Sequence, residues 1–554
     1  MQVYEPIVKR YITRHRLEKK DASLDYSEAK EPIVYYLDPG TPEPIKSALL
    51  EGASWWNQAY EAIGFKNAFQ VKILPKDADP MDCRYNVIQW VHRSTRGWSY
   101  GSSVVDPRTG EIIKGHVSLG SLRIRQDFSI AQALLNKPYL EGDDHNPMLE
   151  MALARIRQLS AHEVGHTLGF VHNFAASTND RSSVMDYPHP LISIDNNKTN
   201  LDNAYDEGIG EWDKITVAYS YSDFNQNIDE NQELNKILDN SYKDGFRFIT
   251  DSDARAKGGA HSLAHLWDNG VSASDGLEDI IKVRNNAISN FSEYNIRKNQ
   301  PLSMLEDVFV PLYFLHRYQV EAAVKLIGGL EYNYATRGDN QTTVKQIDYL
   351  QQKNALNSVL KTINANFLSI PKSKLSLFPP RAFGYPRSRE SFKSKMGVGF
   401  DPISIASTAS DMTFSLLFHP ERMNRLILQK SLNSSSLGIS EVFDRLISYT
   451  FKVNNKNLYI DEIQHTVNYK FLEHLMNLVV SNECLFQVKD AANNAISSIE
   501  ELLSSKAYKD FNYNTYYKEL IKNFKSNSEK YIMSKSLKIP DGSPIGSSEC
   551  SYIN

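Results

Sequence analysis

The sequence predicts an α+β fold: a twisted mixed sheet with a long helix against it, followed by a mainly α-helical C-terminal region. Three observations carry that expectation. Before residue 120, apolar and β-branched runs such as Ile33-Val34-Tyr35-Tyr36-Leu37 alternate with turn signals, as short strands do. From Asn146-Pro147 onward, Leu149, Leu153, Ile156, Leu159 and Val164 form the buried stripe of a long helix. Beyond about residue 256 the apolar periodicity is mainly helical.

Taken in order, the first residues read as a strand in mid-domain. The run 33–37 is a strand closed by Asp38-Pro39-Gly40. Thr41-Pro42 then reads as an N-cap with proline in the first helical turn. The helix it opens runs to Gly64, with Ile45, Leu49, Trp56, Ala59 and Ile63 on one face. Short strands follow at 70–74 and 86–92, then a tight turn at Asp106-Pro107-Arg108-Thr109-Gly110 and a strand over 111–119. After the long helix, 209–219 reads as one more helix, and Ser222-Asp223-Phe224-Asn225-Gln226-Asn227 as a polar connection. Leu277, Ile280, Ile281, Ile288 and Phe291 mark an amphipathic helix. Leu305, Phe309, Leu312, Phe314, Leu315 and Val320 mark another, which Pro311 kinks or divides. The stretch 367–405 is rich in proline, glycine and serine and predicts an irregular connection. Helices are expected at 412–430, 439–450, 466–480 and 485–506, and a loosely ordered tail from 539.

At 554 residues the chain exceeds one ordinary core, so two or three domains are expected. Hydrophobic content of 41% and charged content of 23% are those of a soluble globular protein. The net charge of -4 argues against a nucleic-acid partner held by counterion release. The basic run Lys9-Arg10-Tyr11-Ile12-Thr13-Arg14-His15-Arg16 is a local exception, read as a solvated strand or tail. Three cysteines, Cys83, Cys484 and Cys550, are an odd number and lie far apart, so they suggest no disulfide framework and no CxxC-type metal site. No apolar run reaches the roughly 18–20 residues that span a bilayer. Met1-Gln2-Val3-Tyr4-Glu5-Pro6 shows neither the charged n-region nor the apolar h-region of a signal peptide. The favoured expectation is an exported protein whose leader is absent from this form; the alternative is a cytoplasmic one.

The most specific chemistry lies in His162-Glu163-Val164-Gly165-His166-Thr167-Leu168-Gly169-Phe170-Val171-His172. Residues four apart share a helix face, so His162 and His166 can present two imidazoles to one ion. Glu163 beside them can reach a water that a metal activates. Gly169 can adopt a left-handed conformation, end the helix and let His172 return as a third ligand. Three protein ligands leave a fourth position open, the mark of a catalytic rather than a structural zinc site. Ser183-Val184-Met185-Asp186-Tyr187 follows, with Met185 thirteen residues beyond His172.

Together these two elements resemble the signature of the metzincin zinc peptidases, HExxHxxGxxH followed by a methionine turn. The resemblance implies Zn2+ as cofactor, Glu163 as general base and Met185 as an apolar floor beneath the metal. It also implies a catalytic role for Tyr187, which in some metzincins ligates zinc or hydrogen-bonds the oxyanion; a buried structural tyrosine is the alternative. His172-Asn173-Phe174, Leu17-Glu18-Lys19-Lys20, Asp106-Pro107-Arg108-Thr109-Gly110-Glu111-Ile112 and His265-Leu266-Trp267-Asp268-Asn269-Gly270 are similar to segments of large bacterial exported metzincins. The expected domains are a 1–31 strand segment left from an upstream domain, a 32–225 catalytic domain, a 226–255 linker and a 256–554 helical region.

The resemblance further implies that the strand 111–119 is an edge strand adding substrate as an extra antiparallel strand; an internal strand is the alternative. His116 on it is read as a satisfied side chain. His261 and His265 are four apart but lack an adjacent acid and a third partner, so a packed or solvent-facing helix is the better reading. Asp195-Asn196-Asn197 and the 223–231 stretch could offer oxygen ligands to calcium but fail the EF-hand pattern, and polar loops are expected. The function expected is a zinc-dependent endopeptidase acting on protein or peptide substrates. A zinc hydrolase of another amide and a non-catalytic binding protein with structural zinc are the alternatives.

Overall fold

The computed structural model describes residues 4, 7–92, 99–224, 227–453 and 455–540. In chain order the first part carries β1 (Ser27–Glu28), β2 (Ile33–Leu37), α1 (Ile45–Ser54), α2 (Trp56–Ala62), β3 (Phe65–Lys66), β4 (Phe69–Ile73), β5 (Asn86–Val91), β6 (Tyr100–Val105) and β7 (Ile112–Gly120). Helices α3 (Leu122–Leu134) and α4 (Asn146–Thr167) follow. The main sheet has the order β4-β2-β5-β7-β6, parallel throughout except for β6, which runs antiparallel to β7. With the helices that follow, this is the α+β architecture expected.

Strand β2 alternates as a half-buried strand should, with Ile33, Tyr35 and Leu37 facing the core. Strand β7 is different: it is paired on both sides and buried along nearly its whole length. The expectation of an edge strand at 111–119 is therefore corrected in favour of the internal alternative. The edge is β6, whose Tyr-Gly-Ser-Ser-Val-Val sequence has too little apolar alternation to register as a strand.

The single helix expected over 41–64 is two, broken at Trp55. Thr41 does not cap it: its hydroxyl donates to the Asp38 carbonyl at 2.8 Å and serves the preceding turn. Helix α1 lies close against α4, because a Cβ on Gly52 would sit 2.0 Å from the Arg157 carbonyl. Helix α3 is unanticipated; its inner face mixes Ile130, Ala131 and Leu134 with buried Arg123, Gln126 and Asp127, which hides the apolar period.

The second half of the basic run lies against the fold with its arginines still exposed. Arg14 exchanges backbone hydrogen bonds with Gly110 and Ile112, its guanidinium donates to the Ser220 carbonyl at 2.6 Å, and Arg16 pairs with Glu111 at 2.9 Å. Strand β1 adds parallel to β3.

After β8 (Ser193–Asp195), β9 (Lys198–Asn200) and α5 (Glu211–Tyr221), the stretch expected as a linker holds α6 (Glu230–Lys243) and the one-turn α7 (Asp251–Ala254). Asp229 caps α6 by accepting from the Gln232 amide. Helix α8 spans Ala273–Asn290, and Pro311 lies inside α9 (Leu305–Tyr313). The division from α10 (Arg317–Leu326) falls just after it. A further helix, α11 (Tyr349–Lys361), is unanticipated. The helix expected over 412–430 is two, Pro402–Leu417 and Pro420–Leu432, because Pro420 cannot continue a preceding helix. Ile439–Tyr449, Leu458–Val480 and Phe486–Ser504 match expected helices, and Asn514–Ser526 adds one. The tail expected from 539 lies mostly outside the described residues. No helix among the described residues is long and apolar enough to cross a membrane.

Two buried clusters meet at α4. Leu153, Ile156, Leu159 and Val164 belong to the sheet-side core, whereas Met148 and Met151 belong to the core of the helical half. The helix that carries the histidines is thus clamped from both sides.

Candidate metal centre

His162 and His166 stand one turn apart at the end of α4. Gly169 ends the helix with φ at +101°, and the Phe170 amide reaches back to the Gly165 carbonyl at 3.1 Å. A side chain is excluded there twice over, since a Cβ would also lie 1.9 Å from the Thr13 carbonyl. The turn returns His172 to the helix. His166 Nε2 then lies 3.1 Å from His162 Nε2 and 3.2 Å from His172 Nε2.

Each opposite ring nitrogen faces an acceptor. His162 Nδ1 donates to the Val184 carbonyl at 2.7 Å, His166 Nδ1 to the Phe170 carbonyl at 2.9 Å, and His172 Nδ1 to Asp251 Oδ2 at 2.8 Å. A carbonyl or an ionised carboxylate can only accept, so the proton sits on Nδ1 and the lone pair on Nε2. Burial keeps the rings neutral: it holds His162 well below the ordinary imidazole range, brings His166 to about 3, and lowers His172 against the pull of Asp251. Three lone pairs therefore converge with no proton among them, an arrangement that repels itself unless a cation stands between them. Tetrahedral zinc–nitrogen bonds of about 2.0–2.1 Å would set such nitrogens about 3.3–3.4 Å apart. The donor set fits zinc.

Among the described residues, these three form the one group of histidine, cysteine or acidic side chains placed to share an ion. His261 and His265 lie on an irregular stretch rather than the helix expected; His261 Nε2 meets the Tyr332 carbonyl, and His265 Nε2 the Ser262 carbonyl. Asn196 and Asn197 form the left-handed tip of the β8–β9 hairpin. His116 sits within β7, paired across from Val87 and Ser102.

Glu163 is buried beside His162, and burial pushes its carboxyl up to about 8 against the opposing pull of Arg155, Arg123 and the Gly101 amide. Gly101 belongs to β6, and a Cβ there would meet the Glu163 carbonyl at 2.1 Å. The sheet edge thus runs directly along the turn that carries Glu163 and His166.

Met185 lies under the same turn. A Cβ on Gly165 would come within 2.3 Å of Met185 Sδ and 2.6 Å of Trp56 Cζ2, so the glycine between the two helical histidines makes room for the methionine. Sequence reasoning did not single out Gly165, because nothing local says what lies beneath it. Tyr187, two residues on, is buried with its ring 4.9 Å from that of His172 and 5.1 Å from that of His162. Asn173 ties the chain after His172 to the 247–249 segment: it accepts from the Ile249 amide at 3.1 Å and donates to the Arg247 carbonyl at 2.8 Å.

The methionine turn is held by a buried carboxyl from α5. Asp213 accepts from the Ser183 hydroxyl at 2.6 Å, the Val184 amide at 2.8 Å and the Gly210 amide at 3.0 Å. Since Val184 also receives the His162 proton, Asp213 is one step from the metal centre. Asp186 accepts from the Ser177 and Tyr187 amides, and Ser177 donates in turn to Asp268 at 3.2 Å. Burial raises all three carboxyls: Asp213 and Asp268 to about 7, and Asp186 well above its ordinary value, with repulsion from Asp268 adding to it. In the unfolded chain they ionise near about 3.9. Their protonated native forms therefore favour folding fully below that pH, and the contribution is lost as pH rises through about 7. Thermal unfolding between pH 4 and 7.5 is expected to show the parent losing midpoint relative to Asp213→Asn, which stays neutral; a parent that gains on the variant as pH rises contradicts this assignment.

Two residues of the neighbourhood carried no sequence signal. Asp251 lies 79 residues from the histidine it contacts. Arg255, one turn further on, pairs with Asp251 and donates to the Tyr187 hydroxyl at 3.3 Å.

A helix carrying two imidazoles, a glycine turn returning a third and a methionine beneath them define the metzincin class of zinc centre. A family model described as Met-zincin matches residues 144–457, more than half of the chain, and the chain belongs to that family of metallopeptidases. The match begins just before α4 and runs well into the helical half. No curated protein and no solved structure matches the chain.

Proposed function

We propose that the chain is a zinc-dependent endopeptidase in which His162, His166 and His172 hold the metal and Glu163 is the general base. The observation that carries this reading is the convergence of three Nε2 lone pairs, each fixed by a hydrogen bond from the opposite ring nitrogen. When bound there, Zn2+ supplies Lewis acidity that polarises a carbonyl and lowers the pKa of water toward about 7.

The remaining work falls to the chain. Glu163, whose ionised form a bound cation favours, takes a proton from the attacking water and returns it to the leaving amine. Tyr187 faces the same space and donates its phenolic hydrogen bond to the oxygen on which charge develops. β6 is the edge of the five-stranded sheet and lies against Glu163, so an extended peptide adds to the sheet along it, as expected of an edge strand but one strand further out. Main-chain recognition of this kind suits polypeptides over isolated amides. The catalytic unit includes the 226–255 stretch and the first helices beyond it, a boundary supported by the extent of the family match.

The purified chain, incubated with denatured proteins and a mixed peptide library, is expected to cleave internal bonds. A chelator should stop cleavage and added zinc restore it. Zinc-loaded protein that leaves every peptide intact, or turns over only non-peptide amides, contradicts the proposal.

A further inference from the structure

His172 is the one histidine of the three that lies outside α4, so no helical geometry sets the direction of its ring. Its orientation depends on what Nδ1 meets. For His162 and His166 that partner is a neutral backbone carbonyl, whereas for His172 it is a carboxylate, Asp251 Oδ2, at 2.8 Å.

Asp251 is itself fixed. It opens the single turn of α7, its Oδ2 also accepts from the Thr250 hydroxyl at 3.2 Å, and its Oδ1 accepts from Arg255 Nε. Burial alone would raise this carboxyl, but the hydrogen bonds from His172 and Arg255 outweigh it and hold it below the ordinary carboxylate range. Arg255 then spans to the methionine turn. Its Nη2 donates to the Tyr187 hydroxyl at 3.3 Å, and its guanidinium lies 5.3 Å from the Tyr187 ring and 5.6 Å from the Phe174 ring. The contacts run without a gap from His172 through Asp251 and Arg255 to Tyr187, whose ring packs back on His172.

We propose that Asp251 and Arg255 are positioning residues of the metal centre: Asp251 fixes the tautomer and orientation of His172, and Arg255 holds Asp251 and Tyr187 in register. The inference rests on His172 being a metal ligand. Its physical basis is that a carboxylate accepting the distal N–H of a ligating imidazole fixes the ring and strengthens its basicity, an effect whose loss typically costs about 10–100-fold in metal affinity. The stretch after the sheet domain is then part of the site, although its sequence reads as a connector.

The test uses the full chain with Asp251→Asn, which keeps side-chain size, and Asp251→Ala. Zinc affinity is measured by competition with a chromophoric chelator, the visible spectrum of the cobalt(II)-substituted protein is recorded, and unfolding of the metal-free forms is followed by circular dichroism. The expected result is zinc binding weakened about 10–100-fold in Asp251→Ala and less in Asp251→Asn. The cobalt bands should shift in both, with metal-free unfolding of Asp251→Asn close to the parent. Arg255→Gln is expected to lower kcat with KM little changed, through Tyr187, and to weaken zinc less than Asp251→Ala does. If Asp251→Ala does not fold, Asp251→Asn decides. Parent-like zinc affinity and cobalt spectrum in Asp251→Asn and in any folded Asp251→Ala overturn the proposal and leave α7 as a mere tie between elements. A parent chain that takes up no zinc overturns the metal reading beneath it as well, and is told apart because it fails before any substitution is made.

Discussion

Glu163→Gln is expected to abolish turnover while zinc and fold are retained. The amide has the shape of the carboxylate but cannot take the proton of the attacking water. General-base contributions are typically about 10²–10⁴-fold, and kcat should fall by at least that range. The metal should stay, because none of the three converging Nε2 atoms belongs to Glu163. Stability should hold or rise: the native environment disfavours a buried charge at this position, and glutamine carries none. Paired assays of kcat, zinc content and thermal unfolding check this. Cleavage by the variant within tenfold of the parent would remove Glu163 from the chemistry.

His166→Ala has the second large effect, and it is different in kind. His166 is the middle ring, with its Nε2 3.1 Å and 3.2 Å from its two partners. Removing it leaves two imidazoles with no shared third donor, so zinc content should fall to background and activity with it. The substitution also deletes the hydrogen bond to the Phe170 carbonyl that steadies the glycine turn, and opens a small cavity. Such losses typically cost about 1–3 kcal/mol, which a protein with an extended core on both sides of α4 should survive. Zinc retained at one equivalent by folded His166→Ala would mean that the ligands are elsewhere. The contrast between the variants is the informative part: Glu163→Gln separates chemistry from metal, whereas His166→Ala removes both.

The parts of this centre legible in the sequence are the local ones. The offsets of His162, Glu163, His166 and Gly169 follow from 3.6 residues per turn and a left-handed turn, so they can be read without tertiary knowledge. The start of α4 at Asn146 is legible for the same reason, through its proline and apolar stripe. What escaped depends on contacts between distant segments. The pattern of β7 alone does not say whether it lies inside the sheet or at its edge, and the order of pairing settles that. Gly165 is needed only because Met185 and Trp56 pack beneath it. Asp251 and Arg255 lie in a polar stretch whose composition says loop, and their use is set by where α7 docks. Helix α3 was hidden by charged residues on its buried face: Arg123 and Asp127 pair with each other one turn apart at 3.3 Å, and Arg155 of α4 adds its charge nearby.

The central claim is met most directly by X-ray absorption at the zinc edge on the purified, zinc-loaded chain. The account predicts one zinc per chain with three imidazole nitrogens at about 2.0–2.1 Å, plus one oxygen neighbour. A first shell containing sulfur, or fewer than three imidazoles, would contradict it.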